Sequence, residues 1–305
     1  MAFTAQDVKK LREMTNCGMM DCKKALTETD GDMDKAVEYL REKGLATAAK
    51  KAGRIASEGM VEATVFDCCG VGVVVEVNSE TDFVAKNADF QNFVHAVAEV
   101  IAKENPADVE ALKEMKINDS QTVGDALTEK IATIGENMNI RRFERFDGIN
   151  QAYIHAGGRI GVLVNFEVAD ADKAKDEAFV AIAKDVAMQI AAIAPQYVRE
   201  EDVPADVVEH EKGILKAQAL NEGKPEAIVE KMIVGRIKKF FKDICLVEQP
   251  FVKDGDITVG KYVENVAKSL GTDIKIVKFA RLEKGEGLEK REDNFADEVA
   301  KMMGN

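Results

Sequence analysis

Apolar residues recur along this chain first with a helical period, then with a strand period, and then with a helical one again. Val8, Leu11 and Met14 fall every third residue behind Thr4, which predicts a helix capped by that threonine and interrupted at Asn16-Cys17-Gly18. Cys22, Ala25 and Leu26 mark a second helix, which Gly31 ends. Asp32 caps a third, with Met33, Ala36, Val37 and Leu40 on one face and Gly44 as its stop. Three short helices imply a small bundle, and the Ala- and Lys-rich stretch from Leu45 to Gly53 predicts a helical linker leaving it. Past the linker the period changes. Met60 to Phe66 and Val71 to Val77 predict two strands joined by Asp67-Cys68-Cys69-Gly70 as a hairpin turn. A helix from about Asp89 to Lys103 follows, with Phe90, Phe93, Val94, Val97 and Ile101 as its buried stripe.

The same pattern then recurs without gaps at an offset of 89 residues. Ala63, Val65, Gly72, Val73, Val74, Val75 and Val77 fall on Ala152, Ile154, Gly161, Val162, Leu163, Val164 and Phe166. Phe90, Phe93, Val97, Ala98, Ile101 and Pro106 fall on Phe179, Ile182, Val186, Ala187, Ile190 and Pro195. One constant offset through a hairpin and a helix argues for duplication, hence an α+β chain with two related core subdomains. Between Pro195 and Phe240, Val203, Val207, Val208, Ile214, Leu215 and Leu220 precede the turn Asn221-Glu222-Gly223-Lys224-Pro225, and Ile228, Met232, Ile233 and Ile237 follow it. This predicts an inserted antiparallel helical hairpin whose arms are roughly 27 Å long. Strand-like segments resume at Ile244–Val247 and Ile274–Arg281, and a short helix is predicted around Asn294–Met303. The resulting division is 1–55, 56–142, 143–282 with the hairpin at about 196–240, and 283–305.

The composition, 46% hydrophobic and 32% charged, belongs to a globular protein. A net charge of −13 sets direct nucleic-acid binding aside, because an acidic surface repels phosphate backbones. No run of about 18 apolar residues suits a membrane span, and no basic region followed by an apolar one opens the chain. Cys17, Cys22, Cys68, Cys69 and Cys245 form no regular framework, which fits reduced thiols and a cytoplasmic location. His95, His155 and His210 lack metal-ligand spacing, and Gly70-Val71-Gly72 leads into a strand where a dinucleotide loop leads out of one. Neither a cofactor, a metal nor covalent chemistry is expected. One segment is unusual for plain core: Val77-Asn78-Ser79-Glu80-Thr81-Asp82-Phe83-Val84-Ala85-Lys86-Asn87 leaves the second strand for a helix, with Ser79 or Thr81 as the cap. Two readings of Phe83 stand open here, a staple folded back onto the helix and an apolar wedge offered to a partner.

Two long motifs carry a resemblance. Leu11-Arg12-Glu13-Met14-Thr15-Asn16-Cys17-Gly18-Met19-Met20-Asp21-Cys22-Lys23-Lys24-Ala25-Leu26 resembles the first signature of the elongation factor Ts family, and Glu76 to Lys86 resembles the second. Lys130-Ile131 with Gly135-Glu136-Asn137-Met138-Asn139-Ile140-Arg141-Arg142 is similar to a third stretch of that family. The resemblance implies a ubiquitin-associated-like N-terminal bundle, two core subdomains, a coiled-coil hairpin and a C-terminal helical module. It implies guanine-nucleotide exchange on elongation factor Tu, without covalent chemistry. By that resemblance Thr81, Asp82, Phe83 and Val84 dislodge the partner's Mg²⁺. It also implies that Arg12, Met19, Met20 and Lys23 contact the GTPase domain and that His155 contacts another domain of the partner; the residues by themselves leave open a second reading, in which one of the two methionines is core, Arg12 and Lys23 are ordinary surface charges and His155 is a structural histidine. The hairpin is the expected place for a homodimer contact.

Overall fold

The computed structural model describes residues 3–15, 17–66, 70–223 and 225–290, the side chains of 226 and 227 excepted. In chain order the elements are α1 (Ala5–Thr15), α2 (Met19–Glu28), α3 (Met33–Lys51), β1 (Glu58–Phe66), β2 (Val71–Ser79), α4 (Asp82–Ala85), α5 (Ala88–Glu104), α6 (Val109–Glu114), α7 (Val123–Ile134), β3 (Met138–Asp147), β4 (Ile149–His155), β5 (Ile160–Val168), α8 (Glu177–Ile193), α9 (Ala205–Asn221), α10 (Glu226–Ile244), β6 (Pro250–Phe251), β7 (Asp254–Thr258), α11 (Val259–Leu270) and β8 (Ile274–Glu283). The chain is α+β, its sheets small and antiparallel. The predicted helix around Asn294–Met303 and the centre of the 67–70 turn lie outside the described residues.

The first three helices close on Val8, Leu11, Cys22, Ala25, Leu26, Ala36 and Leu40. Thr4 caps α1 reciprocally with Asp7: the Asp7 carboxylate accepts from the Thr4 N–H at 2.7 Å, and the Thr4 hydroxyl accepts from the Asp7 N–H at 3.3 Å. Two expectations fail. Met14 does not continue the buried stripe; it is 56% exposed. Gly44 does not end α3, which runs on to Lys51 and absorbs most of the expected linker. A Cβ built on Gly44 would stand 3.7 Å from Ala132 and Thr128 of α7, an ordinary contact distance, so this position lies where α3 packs on α7.

The two larger sheets have the orders β1-β2-β3 and β4-β5-β8. Val71, Val73, Val75 and Val77 of β2 join the core under α5, while Val74 joins Val61, Ala63, Phe146, Leu163 and Leu282 in a separate cluster. Both faces of β2 are therefore buried, which explains its richness in valine. Gly72 and Gly161 bring the sheets together: a Cβ on Gly72 would lie 2.5 Å from Leu163, and one on Gly161 would lie 2.4 Å from Val61 and 3.2 Å from Val74.

The offset of 89 recurs in the coordinates. β2 at 71–79 corresponds to β5 at 160–168, and α5 at 88–104 to α8 at 177–193. Both helices end on a left-handed residue, Asn105 at φ 49° and Ala194 at φ 52°. A register irregularity falls between Glu76 and Val77 and again between Asn165 and Phe166. A second correspondence was missed in the sequence. α7 and β3 reappear as α11 and β8 at an offset of 136 (259 − 123, 274 − 138). Thr122-Val123-Gly124 and Gly135 match Thr258-Val259-Gly260 and Gly271. The threonines cap the helices, and both later glycines close them at positive φ. The extra 47 residues (136 − 89) lie in the second copy, where α9 and α10 pair. Ile244–Val247, expected as a strand, is instead the end of α10 and a 3₁₀ turn, with only a parallel bridge from Cys245 to Tyr197.

Candidate functional site

β2 ends at Ser79, buried, and the chain emerges into the one-turn helix α4 before α5 begins. Val84 turns inward and joins the core under α5; Phe83, its neighbour, is 78% exposed. One residue anchors the turn and the next is held in solvent, so Phe83 is not a staple folded onto the helix. Asp82 is exposed and accepts from the Lys86 ammonium at 2.7 Å, a bond that holds its carboxyl below the usual carboxylate range. The Lys86 ammonium lies 5.8 Å from the Phe83 ring centroid. The tip thus presents a bare aromatic ring beside a carboxylate that already has a cation partner.

The expected side-chain cap of α4 is absent. Thr81 occupies the N-cap position, but its hydroxyl donates to Glu136 Oε1 at 2.6 Å and its N–H donates to Glu136 Oε2 at 2.9 Å. The Ser79 hydroxyl donates to the Thr81 carbonyl at 3.0 Å. Beneath the tip, Glu76 is fully buried and accepts from Gly285 N–H at 2.8 Å, Asn78 Nδ2 at 3.1 Å, Arg141 Nη1 at 3.0 Å and Arg142 Nε at 2.6 Å. Burial alone would raise its pKa; the donors from Gly285, Asn78 and Arg142 outweigh that and hold it below the usual value. Glu136 and Asn137 were not singled out as site residues. Their signal was the third resembling stretch, whose partner in space no spacing along the chain discloses.

The other candidates occupy two other places. Arg12 lies near the end of α1, and Met19, Met20 and Lys23 on the first half of α2, all exposed. At 55% and 75% exposure neither methionine is core, because Cys22, Ala25 and Leu26 supply the inward face of α2. With Met14 at the end of α1 they make three exposed methionines in the bundle, side chains of an adaptable kind. His155 closes β4, exposed, its Nδ1 3.2 Å from the Tyr153 hydroxyl. The turn that follows it is tied to the first sheet, since Val61 N–H donates to Gly158 O at 2.8 Å.

Among the described residues no helix is long and apolar enough to cross a membrane. The family model described as elongation factor TS matches residues 80–286. A protein named elongation factor Ts from Clostridium perfringens (strain 13 / Type A) is 56% identical over 305 residues, covering 99% of each chain. Proteins of the same name from Clostridium botulinum (strain Eklund 17B / Type B) and Trichlorobacter lovleyi are 52% and 53% identical, covering 99% and 100% of this chain and 99% of each relative.

Proposed function

This chain belongs to the elongation factor Ts family, and on that premise we propose how its surface performs guanine-nucleotide exchange on elongation factor Tu during translation elongation. A GTPase holds its nucleotide through phosphate contacts and a bridging Mg²⁺. The exchange factor does not have to touch the nucleotide or make a bond. It has to bind the empty GTPase better than the loaded one, since the coupling between the two ligands is reciprocal. A tenfold weakening of GDP requires about 1.4 kcal/mol of that coupling.

The exposed ring of Phe83 carries this reading. Phe83 is the wedge, Val84 its root in the core, and Thr81 and Asp82 the polar flank that orients it; their insertion dislodges the partner's Mg²⁺. Asp82 pairs with Lys86 and contributes polar contacts and orientation. Arg12, Met19, Met20 and Lys23 form a second contact, on the GTPase domain, and His155 a third, on another domain of the partner.

The units that present these contacts are a ubiquitin-associated-like bundle (1–55), two core subdomains (56–142 and 143–282), a coiled-coil hairpin at about 196–240, and a C-terminal module (283–305). Ile214 and Leu220 on α9 and Ile228 and Val234 on α10 leave apolar side chains exposed, which supports a homodimer contact through the hairpin. The protein works in the cytoplasm, where its partner cycles, with no cofactor and no direct hold on nucleic acid or membrane.

The test is release of a fluorescent GDP analogue from elongation factor Tu, with this protein in catalytic amount and unlabelled nucleotide as chase. Phe83→Ala is expected to fold and bind the partner but to exchange roughly thirtyfold more slowly, the loss typical of an interface anchor. A variant exchanging at the parental rate would refute the wedge. Acceleration only in proportion to complex formed would favour a holding scaffold over an exchange factor.

A further inference from the structure

Three stretches far apart in sequence meet behind Phe83. The first is the end of α3 and the residues after it, the second is Glu80-Thr81, and the third is the turn Gly135-Glu136-Asn137 between α7 and β3. Glu136 takes both hydrogens that Thr81 offers, at 2.9 and 2.6 Å. Glu80 returns the contact, accepting from Asn137 N–H at 2.6 Å while Arg54 Nη1 stands 3.4 Å away. The Asn137 amide donates to the Arg54 carbonyl at 2.8 Å, and the Lys51 ammonium donates to the Gly135 carbonyl. Gly135 turns the chain here at φ 86°, a conformation that L side chains rarely adopt.

We propose that Glu136 and Asn137 are positioning residues for nucleotide exchange: this junction holds Phe83 outward and fixes it relative to the N-terminal bundle, so that both surfaces meet one partner together. The proposal rests on the reading of Phe83 as the wedge. The argument is one of order. α4 has a single turn and no side-chain cap of its own, so within it only the buried Val84 restrains Phe83 and the start of the turn is left unfixed. Glu136 supplies the missing constraint by fixing the backbone N–H and the side chain of the residue that starts α4. Asn137 joins that same constraint to the root of α3, on which the bundle is mounted. Freedom of the tip that is removed beforehand is not lost in the insertion step that follows docking, and this is how preorganisation raises the rate at saturation.

The experiment compares Glu136→Ala, Glu136→Gln, Phe83→Ala and the double variant Glu136→Ala/Phe83→Ala in the nucleotide-release assay, over a range of exchange-factor concentrations. The expected result for Glu136→Ala is a saturating rate roughly tenfold lower, as for a misplaced reacting group, with the half-saturating concentration little changed. Its Thr81 amide should lose hydrogen-exchange protection while the amides of β2 keep theirs. Glu136→Gln, which can accept from the Thr81 N–H and donate to its hydroxyl, should recover most of the rate. The double variant should be within about twofold of Phe83→Ala, since Glu136 acts only through the tip.

Glu136→Ala at the parental rate beside a slow Phe83→Ala would overturn the positioning role and leave the wedge standing. So would multiplied losses in the double variant, or a Glu136→Gln as slow as Glu136→Ala. A Phe83→Ala that exchanges normally would instead remove the wedge itself.

Discussion

Each half of the core joins its central strand to its helix through a connection of the same length, residues 80–87 in the first and 169–176 in the second. The following helices are capped alike: Asn87 accepts from the Asp89 N–H and Asp176 from the Ala178 N–H. Even the brace recurs. Thr81 N–H donates to Glu136, and at the shared offsets Asp170 N–H donates to the Thr272 hydroxyl at 3.0 Å. What differs is the chemistry mounted on this frame. Phe83 corresponds to Asp172 and buried Val84 to Lys173 (each 89 residues on), and the one-turn helix α4 is replaced by a 3₁₀ turn at Ala171–Lys175. A duplicated frame is a structural solution used twice. The exposed aromatic ring appears in only one copy, so the frame does not require it, and that is the strongest physical reason to read it as functional.

The comparison can be broken most severely at Glu76, whose counterpart Asn165 bonds to neutral groups around Asp147, Ile149 and Asn150. Glu76→Ala leaves Arg141 and Arg142 without their buried partner, and should cost about 3–5 kcal/mol in urea unfolding. The pH dependence has a definite sign. A carboxyl whose folded pKa is depressed contributes stability that is fully present above its ordinary value of 4.5 and is lost as pH falls below that towards the folded value. Acid titration of the parent should therefore show a loss of stability in that window which is much smaller in Glu76→Gln. An equal loss in both would assign it to other carboxylates.

Gly161→Ala tests the symmetric part of the frame, the close approach of the two sheets. The added methyl meets Val61 and Val74, and the overpacking should cost about 1–3 kcal/mol by the same measurement. An unchanged midpoint would mean the sheets can part without penalty. The smallest effect is expected at Thr272→Ala, which removes the second copy's brace. About 1 kcal/mol of stability should be lost, and the saturating exchange rate should not move. A slower Thr272→Ala would show that the second connection takes part in exchange, and the contrast between the two tips would fail.

The repeat through β1, β2 and α5 was legible because strand and helix periods are local and both copies keep them in step. The repeat of α7 and β3 was equally present, in Thr122-Val123-Gly124 and Thr258-Val259-Gly260, but the inserted hairpin shifts its offset from 89 to 136, and a search at one offset passes over it. Gly44 misled for a related reason. Glycine ends helices often, yet here Gly44 lies inside α3 against Thr128 and Ala132 of α7, neighbours 84 and 88 residues away (128 − 44, 132 − 44) that local pattern does not contain. The methionines misled because hydrophobicity alone does not tell an inward face from an adaptable surface: Met14, Met19 and Met20 are all exposed.

What the sequence by itself determined is the N-terminal helices, the strand pair and helix that occur twice, the helical hairpin and the family, together with Phe83 as a residue needing explanation. These follow from periodicity, turn chemistry and long motifs, all properties of neighbours along the chain. Only the tertiary structure decided that Phe83 points outward, that Val84 is buried beside it, and that Glu136, 55 residues beyond Thr81, accepts both of that threonine's hydrogens. Whether an apolar side chain is core or wedge depends on which distant backbone has already filled the space around it, and that is settled only when the chain has closed on itself.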